Sequence, residues 1–163
     1  MWSNLIIFYS PGEKWIIYTG RPRLRYGENE IESDHLKIDP ELQSLVAAGA
    51  VVSRFVMTKG GGLSQIIANS LEIDSVNGKA LFSGDVVATA EGWIMRAPTV
   101  ELSFEGSNLE LLNRVHSTGG VEIEAGNRSA NGDTAVYFPE KGKVVVYGQD
   151  AQIIDPERGK AVG

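Results

Sequence analysis

The residues best suited to acid–base catalysis in this sequence are its two histidines, His35 and His116. Histidine exchanges a proton near neutral pH and commonly activates a serine or cysteine nucleophile. The chain has no cysteine, and neither histidine lies in a recognisable nucleophile motif. The glycine run Gly60–Gly62 lacks phosphate-loop spacing and precedes no predicted helix. We therefore expect no catalytic residue and no enzyme activity.

Metal or ligand binding is the second chemistry to consider, because Asp34, Asn69 and Asp133 recur in one slot of three similar segments. Each lies two residues before an apolar residue and shares its phase along the strand. Two aspartates and one asparagine without a convergent histidine make a poor metal site. Their side chains suit hydrogen bonds to nearby backbone, so we interpret them as structural and keep a ligand site as the alternative. No metal and no cofactor is expected.

The slot recurs because the chain consists of repeats. Ile66–Val87 reads as an alternating apolar run, a turn and a second run, and Asp74 lies ten residues before Gly84. The same offset links three further pairs, which are Asp39 and Gly49, Ser10 and Gly20, and Phe138 and Gly148. The remaining copy, which is fourth in chain order, is degenerate. It reaches Gly119 and Gly120 after an insertion of six or seven residues. Repetition of one segment along the chain predicts one supersecondary unit that is stacked about five times.

Composition and charge favour a β protein and argue against a nucleic-acid surface. The 163 residues suffice for one domain, and 19 glycines with many valines, isoleucines, threonines and tyrosines favour strands and turns over helices. The net charge is −6, and the run Arg21, Arg23, Arg25 is the one concentration of basic residues. Nucleic-acid binding needs a broader basic surface, so we expect none.

The ends of the chain suggest a segment of a longer protein. No signal peptide and no apolar run of transmembrane length is visible, and the chain begins and ends within the repeat pattern. We expect residues 1–163 to form a single domain of about five strand pairs that is an excised segment. Gly60–Gly62 predicts either a mobile loop or lid, or a long hairpin connection.

Alternation along the first strand of each unit predicts one shared apolar face. The inward residues are Ile7, Tyr9, Leu36, Ile38, Leu71, Ile73, Val100, Leu102, Ala135 and Tyr137. The return strands are apolar in both phases, so periodicity does not assign their inward side. Some ten strands must close over this face as a sandwich, jelly roll or flattened barrel. The interior is either a packed core or a partly open apolar channel, since small residues recur along it.

The repeats resemble the OstA-like family of lipopolysaccharide-transport proteins, which includes LptA, LptC and the periplasmic domain of LptD. The best matches are ANSLEIDSVNGKALFSGDVV, ANGDTAVYFPEKGKVVVYGQDAQI and SDHLKIDPELQSLVAAGAVV. The resemblance covers nearly the whole chain and implies an all-β fold, in which antiparallel strand pairs form a twisted, open β-jelly roll. The fourth copy's insertion and the residues Leu5 and Pro98 in the Asp/Asn slot depart from the pattern.

The resemblance also implies a function. It indicates a non-catalytic periplasmic carrier in the Gram-negative envelope, either free or part of a membrane-anchored protein, that shields lipopolysaccharide acyl chains on the way to the outer membrane. The lipid-binding groove would be lined by Ile7, Tyr9, Leu36, Ile38, Leu71, Ile73, Val100, Leu102 and Tyr137. Its partners would be lipopolysaccharide, other OstA-like domains joined by edge-strand addition, and inner- and outer-membrane transport components.

Two other functions fit the same strands. A structural β-repeat with a solid core would act through its edge strands alone. A carbohydrate-binding jelly roll would need an exposed aromatic platform, which the scattered Trp2, Trp15 and Trp93 do not indicate.

Overall fold

The fold consists almost entirely of β-strands. A computed structural model describes residues 4–10, 13–26, 28–56, 63–105 and 111–163, with the backbone alone at 4–10, 13–15, 26, 56 and 63. The predicted loop at Gly60–Gly62 lies outside these ranges. The strands are β1 (Asn4–Ser10), β2 (Glu13–Thr19), β3 (Arg23–Tyr26), β4 (Asn29–Glu32), β5 (His35–Asp39), β6 (Ser44–Val56), β7 (Leu63–Asp74), β8 (Lys79–Ala90), β9 (Trp93–Glu105), β10 (Leu111–Ala125), β11 (Arg128–Phe138), β12 (Lys143–Tyr147), β13 (Gln152–Asp155) and β14 (Gly159–Val162).

The described ranges contain one short 3₁₀ helix, Pro139–Lys141, which follows β11. Within those ranges, no helix has the length and apolar character needed to cross a membrane.

The fourteen strands of the described residues all belong to one antiparallel sheet that divides at both ends. The strands β6 to β11 each pair with the next in sequence. One half of β6 pairs with β5 and the other with β4, and β11 pairs with β12 and β13 in the same way. The long strands therefore cross two layers. The first layer ends in β1, β2, β5 and β12, and the second ends in β3, β4, β13 and β14.

The return strands bend between the layers at bulges that require glycine. In β8 the register against β7 shifts between Ser83 and Val87, and Gly84 has a φ of +84°. A Cβ at Gly84 would lie 2.5 Å from Nδ2 of Asn69, because the Asn69 side chain covers this glycine from the neighbouring strand. We call this arrangement the corner pair. It recurs as Asp34 with Gly49, Asp133 with Gly148 and Pro98 with Gly119.

The corner pair explains the recurring polar slot. Asp34, Asn69 and Asp133 are exposed, so the prediction that they share the phase of the inward residues is wrong. The strand changes phase at this slot: Ala68 and Leu71 are both buried although they are three residues apart. A short polar side chain fits here because it lies flat over a glycine and remains solvated. The structural interpretation of these three residues agrees with this packing.

The core lies between the two layers and consists mainly of small and aliphatic side chains. From the first layer come Leu36, Leu45, Ala47, Leu71, Ala80, Phe82, Val100, Leu102, Leu112, Val115 and Ala135. From the second layer come Val51, Phe55, Ile66, Ala68, Val86, Ala88, Met95, Ala97 and Val121. Since both inner faces contribute, the sheet closes over its own apolar surface without needing helices.

The predicted all-β fold with an open antiparallel β-jelly roll is confirmed. The hairpins β1–β2, β5–β6, β7–β8, β9–β10 and β11–β12 lie where five strand pairs were predicted. The expected total of ten strands was too low, because the segments between units also pair as the short hairpins β3–β4 and β13–β14.

Candidate functional site: an apolar cavity between the layers

The main candidate site is an apolar cavity of about 430 Å³ between the two layers. Its floor is formed by Leu45, Leu71, Ala80, Phe82 and Leu102 of the first layer. The second layer contributes Leu24, Ile31, Ser53 and Phe55, which come from β3, β4 and β6. A cavity of this size lies within the roughly 300–1,000 Å³ range of small-molecule sites, so one apolar group of that size can enter it.

The rim of the cavity is polar, in contrast to its floor. Asp39, Gln43, Ser44, Ser75 and Asn29 lie around it. Asp39 shapes the rim because its Oδ1 accepts hydrogen bonds from the backbone N–H groups of Glu41 and Leu42, both at 3.0 Å. The cavity thus has an apolar interior and a hydrogen-bonding mouth, which suits an amphipathic ligand.

A second Asp-stabilised turn borders the same mouth. Asp74 accepts hydrogen bonds from Asn77, at 3.1 Å from the backbone N and 2.6 Å from Nδ2. These bonds, the side-chain bond most of all, lower the pKa of Asp74 below its usual value. The tips of β7 and β8 are therefore held by a carboxylate that stays ionised to lower pH than an ordinary aspartate.

The structure brings four of the nine predicted groove residues together in this cavity: Ile38, Leu71, Ile73 and Leu102. Leu36 and Val100 are fully buried in the core and do not line it. Tyr137 is half-buried and lies against the core away from the cavity. The backbones of Ile7 and Tyr9 lie in β1, and their side chains are outside the described part of the chain. Lipid contact by all nine residues stays a prediction.

Sequence reasoning missed the lining residues of the return strands and of the β3–β4 hairpin. Phe82, Phe55 and Ile31 belong to this group. In β8 the buried residues Phe82 and Val86 are four apart, so they keep one phase across the bulge at Gly84, whereas in β7 the buried phase changes between Ala68 and Leu71. Both phases of β8 contain apolar residues, so alternation alone did not identify the inward phase.

The basic run of the sequence is neutralised on the outer face of the second layer. Arg25 and Arg54 each contact Glu30 at 2.9 Å, and Arg21 contacts Glu32 at 2.7 Å. The hydrogen bond from Arg25 lowers the pKa of Glu30 most, and burial only partly opposes this. Burial would raise the pKa of Glu32, but the hydrogen bonds from Arg21 and Arg23 outweigh it and lower the value. These arginines therefore stabilise the β3–β4 hairpin.

The C-terminal edges of the sheet expose apolar side chains. Val144 and Tyr147 of β12, Ile153 and Ile154 of β13, and Val162 of β14 are all more than a third exposed. Among the described strands, β14 pairs with β13 alone, along one of its two sides. Its outer side thus presents unpaired backbone groups next to apolar surface, which is the usual basis of strand addition.

Two observations bear on the other chemistries. No group of three or more metal-ligating side chains converges within the described residues. Trp93 is half-buried against the core and does not form an exposed platform for sugars, while Trp2 and the side chain of Trp15 lie outside the described part.

Comparison with known proteins places these features in a family. The crystal structure of LptH from Pseudomonas aeruginosa, described as the LptA-homologous periplasmic component of the lipopolysaccharide transport device, matches with a TM-score of 0.59. The match has 14% sequence identity and covers 74% of this chain and 82% of LptH, so it supports the fold alone. A comparison with curated protein sequences gave no significant match.

The sequence pattern of the family described as "LptA/(LptD N-terminal domain) LPS transport protein" matches residues 65–160, which is more than half of the chain. This range contains the third to fifth predicted units with their corner pairs. The chain therefore belongs to the LptA/LptD N-terminal domain family of lipopolysaccharide transport proteins.

Proposed function

We propose that this protein shields lipopolysaccharide acyl chains in the apolar cavity between its layers while the sugar part remains in water. The observation that carries the proposal is the contrast between the apolar floor at Leu71 and Leu102 and the polar rim at Asp39 and Ser75. Such a site needs no catalytic group, which agrees with the absence of any nucleophile motif in the sequence. A periplasmic location is part of the same proposal, because it is where the similar protein LptH acts.

The energetics allow a purely apolar site to hold lipid. Burying one acyl chain of about 14 carbons at ~0.8 kcal/mol per CH₂ gives roughly 10 kcal/mol before the costs of association. Those costs remove a large part of this value, so binding would be reversible. Reversible binding suits a carrier that receives a lipid and passes it on.

Photo-crosslinking tests this function. A photoreactive residue at Ile73 or Leu102 should capture lipopolysaccharide, because both side chains line the cavity. The matched controls are Glu72 and Glu101, which neighbour them on the same strands and have the opposite phase. Capture at Glu72 and Glu101 with none at Ile73 and Leu102 would contradict the proposal.

We also propose that the C-terminal edge joins another domain of this fold by strand addition. Gly163 donates a backbone hydrogen bond to the carbonyl of Ala151 at 2.9 Å, so alternate residues of β14 face β13. The N–H groups of Lys160 and Val162 consequently point to the open side.

Proline at position 160 would remove a backbone N–H that donates to no other strand in the described part of the domain. Lys160→Pro should therefore weaken pairing with a second domain while leaving the unfolding midpoint close to that of the Lys160→Ala control. Analytical ultracentrifugation of mixtures with LptA-type domains measures the pairing. Equal association by the two variants would exclude this edge as the junction.

The cavity also separates this proposal from a scaffold with a solid core. A filled core would leave no room for a ligand between β3 and β9, whereas the space there is lined on both sides by apolar residues. The scaffold function thus has no specific support in this half of the molecule.

A further inference from the structure

The cavity does not extend along the whole groove. Its described lining residues all lie between Leu24 and Phe104, and none comes from β10 to β14. In the C-terminal half, the inward residues Leu112, Val115 and Val121 are almost completely buried. The groove is therefore open where β5 to β9 of the first layer face β3, β4 and β6 of the second layer, and it is closed between β9 and β12.

An aromatic contact between the layers lies beyond the cavity, on the closed side of the groove. The rings of Trp93 and Tyr137 have centroids 5.9 Å apart with an interplanar angle of 58°. Trp93 begins β9 in the second layer, where it pairs with Ala90 and Ala125. Tyr137 lies near the end of β11 in the first layer, where it pairs with Val115. Each ring thus stands near the open margin of its own layer, and the two meet across the groove.

A second contact lies deeper and joins the same two layers. Ser117 Oγ donates a hydrogen bond to Met95 Sδ at 3.1 Å, and both residues are buried. Met95 belongs to the second layer through its pairing with Ala88, and Ser117 to the first through Ala135. The layers are consequently in contact over β9 to β11, from the corner pairs to the open margin. Toward β3 and β4, the cavity separates the two layers.

We propose that Trp93 and Tyr137 form a gate that confines an acyl chain to the N-terminal cavity and opens when the lipid moves toward the C-terminal edge. This inference rests on the proposed lipid-binding function. An aromatic pair of this geometry shifts an equilibrium by only about two- to tenfold, so the contact closes the groove without locking it. Opening requires the layers to move apart only at their free margin, because the corner pairs hold the other side.

Crosslinking on the two sides of the gate tests the inference. Ile73 reports on the cavity, and Ile123 is a half-buried inward residue of β10 on the closed side. In Trp93→Ala and Tyr137→Ala, capture of lipopolysaccharide at Ile123 should rise about two- to tenfold, while capture at Ile73 stays the same. Trp93→Phe and Tyr137→Phe keep a ring and serve as matched controls that should resemble the unsubstituted chain.

A reversible tether keeps the test valid if an alanine variant folds poorly. The chain has no cysteine, so Trp93→Cys with Tyr137→Cys introduces one unique pair. Joining the two thiols with a short bis-maleimide that contains a reducible disulfide should lower capture at Ile123, and reduction of the linker should restore it. Capture at Ile123 that is unaffected by both the alanine variants and the tether would overturn the gate.

The outcome for the gate is distinguishable from that for lipid binding itself. If the unsubstituted chain captures no lipid at Ile73, the proposed function fails. If capture at Ile73 is present and Ile123 does not respond to the state of the pair, only the gate fails.

Discussion

Replacement of Gly84 by alanine tests the corner pair most directly. A Cβ at this position would lie 2.5 Å from Nδ2 and 2.8 Å from Cβ of Asn69, closer than atoms can pack without displacement. The residue also has a φ of +84°, which costs a non-glycine residue about 1–2 kcal/mol. Overpacking adds about 1–3 kcal/mol, and the stiffer unfolded chain returns about 0.4–1 kcal/mol. We therefore expect Gly84→Ala to lower the free energy of unfolding by about 2–4 kcal/mol.

Gly92 provides a matched control for the conformational part of this cost. It has the same φ of +84°, and a Cβ there would meet nothing within 4 Å. Gly92→Ala should thus cost only about 1 kcal/mol, which is the conformational strain less the gain in the unfolded state. The difference between the two variants measures the contact with Asn69.

Urea unfolding followed by circular dichroism provides the measurement. With a urea m-value of about 1–3 kcal/mol/M, the two midpoints should differ by roughly 1 M. Adding Asn69→Gly to Gly84→Ala should recover most of that difference, because it removes the atoms that the new Cβ would strike. Equal midpoints for Gly84→Ala and Gly92→Ala would refute the explanation of the corner by packing.

Three further predictions concern stability. Since the pKa values of Glu30 and Glu32 are lowered from 4.5, the stabilisation by their arginine contacts should be complete above that pH. This stabilisation should be lost as the pH falls through the lowered pKa values. Over the same pH range, the urea midpoint should fall less in Glu32→Gln than in the unsubstituted chain. Asp39→Ala removes the acceptor of two backbone N–H groups and should lower the Tm by about 2–6 °C. Asp39→Asn should lower the Tm less, because the asparagine side-chain oxygen can still accept a hydrogen bond. Leu71→Ala changes a fully buried position and should lower the free energy of unfolding by about 2–5 kcal/mol in urea titrations. Leu42→Ala changes a position that is 66% exposed and should lower it by less than about 0.5 kcal/mol. Similar losses in the two variants would contradict the assigned inner face.

Local patterns were sufficient to predict the hairpins and the glycines that bend them. The Asn77–Gly78 pair lies in the turn between β7 and β8, as its sequence indicates. Gly49 and Gly84, found from the repeat offset alone, have positive φ at bulges. These features depend on residues close in sequence, so their signal is visible in a single chain.

The cavity depends on features that alternation does not contain. Phe55 and Leu24 reach it because β6 crosses into the second layer and β3 lies in that layer, which places both residues opposite Ile73 and Leu102. Val100 has the same pattern in the sequence as Leu102, yet it is buried in the core and does not line the cavity. Which inward residues meet open space depends on the separation of the layers, and that is decided by long-range packing.

The separation within the corner pairs indicates where the units can change in length. Asp34 and Gly49, Asn69 and Gly84, and Asp133 and Gly148 are each fifteen positions apart, whereas Pro98 and Gly119 are twenty-one apart. The six extra residues of that unit lie beyond the corner, toward the hairpin tip between β9 and β10. Insertions of this kind lengthen the margins of the groove and leave its width at the bend unchanged. A repeat protein of this design can thus evolve deeper or shallower grooves through insertions and deletions near the hairpin tips, while neighbouring units continue to stack in register.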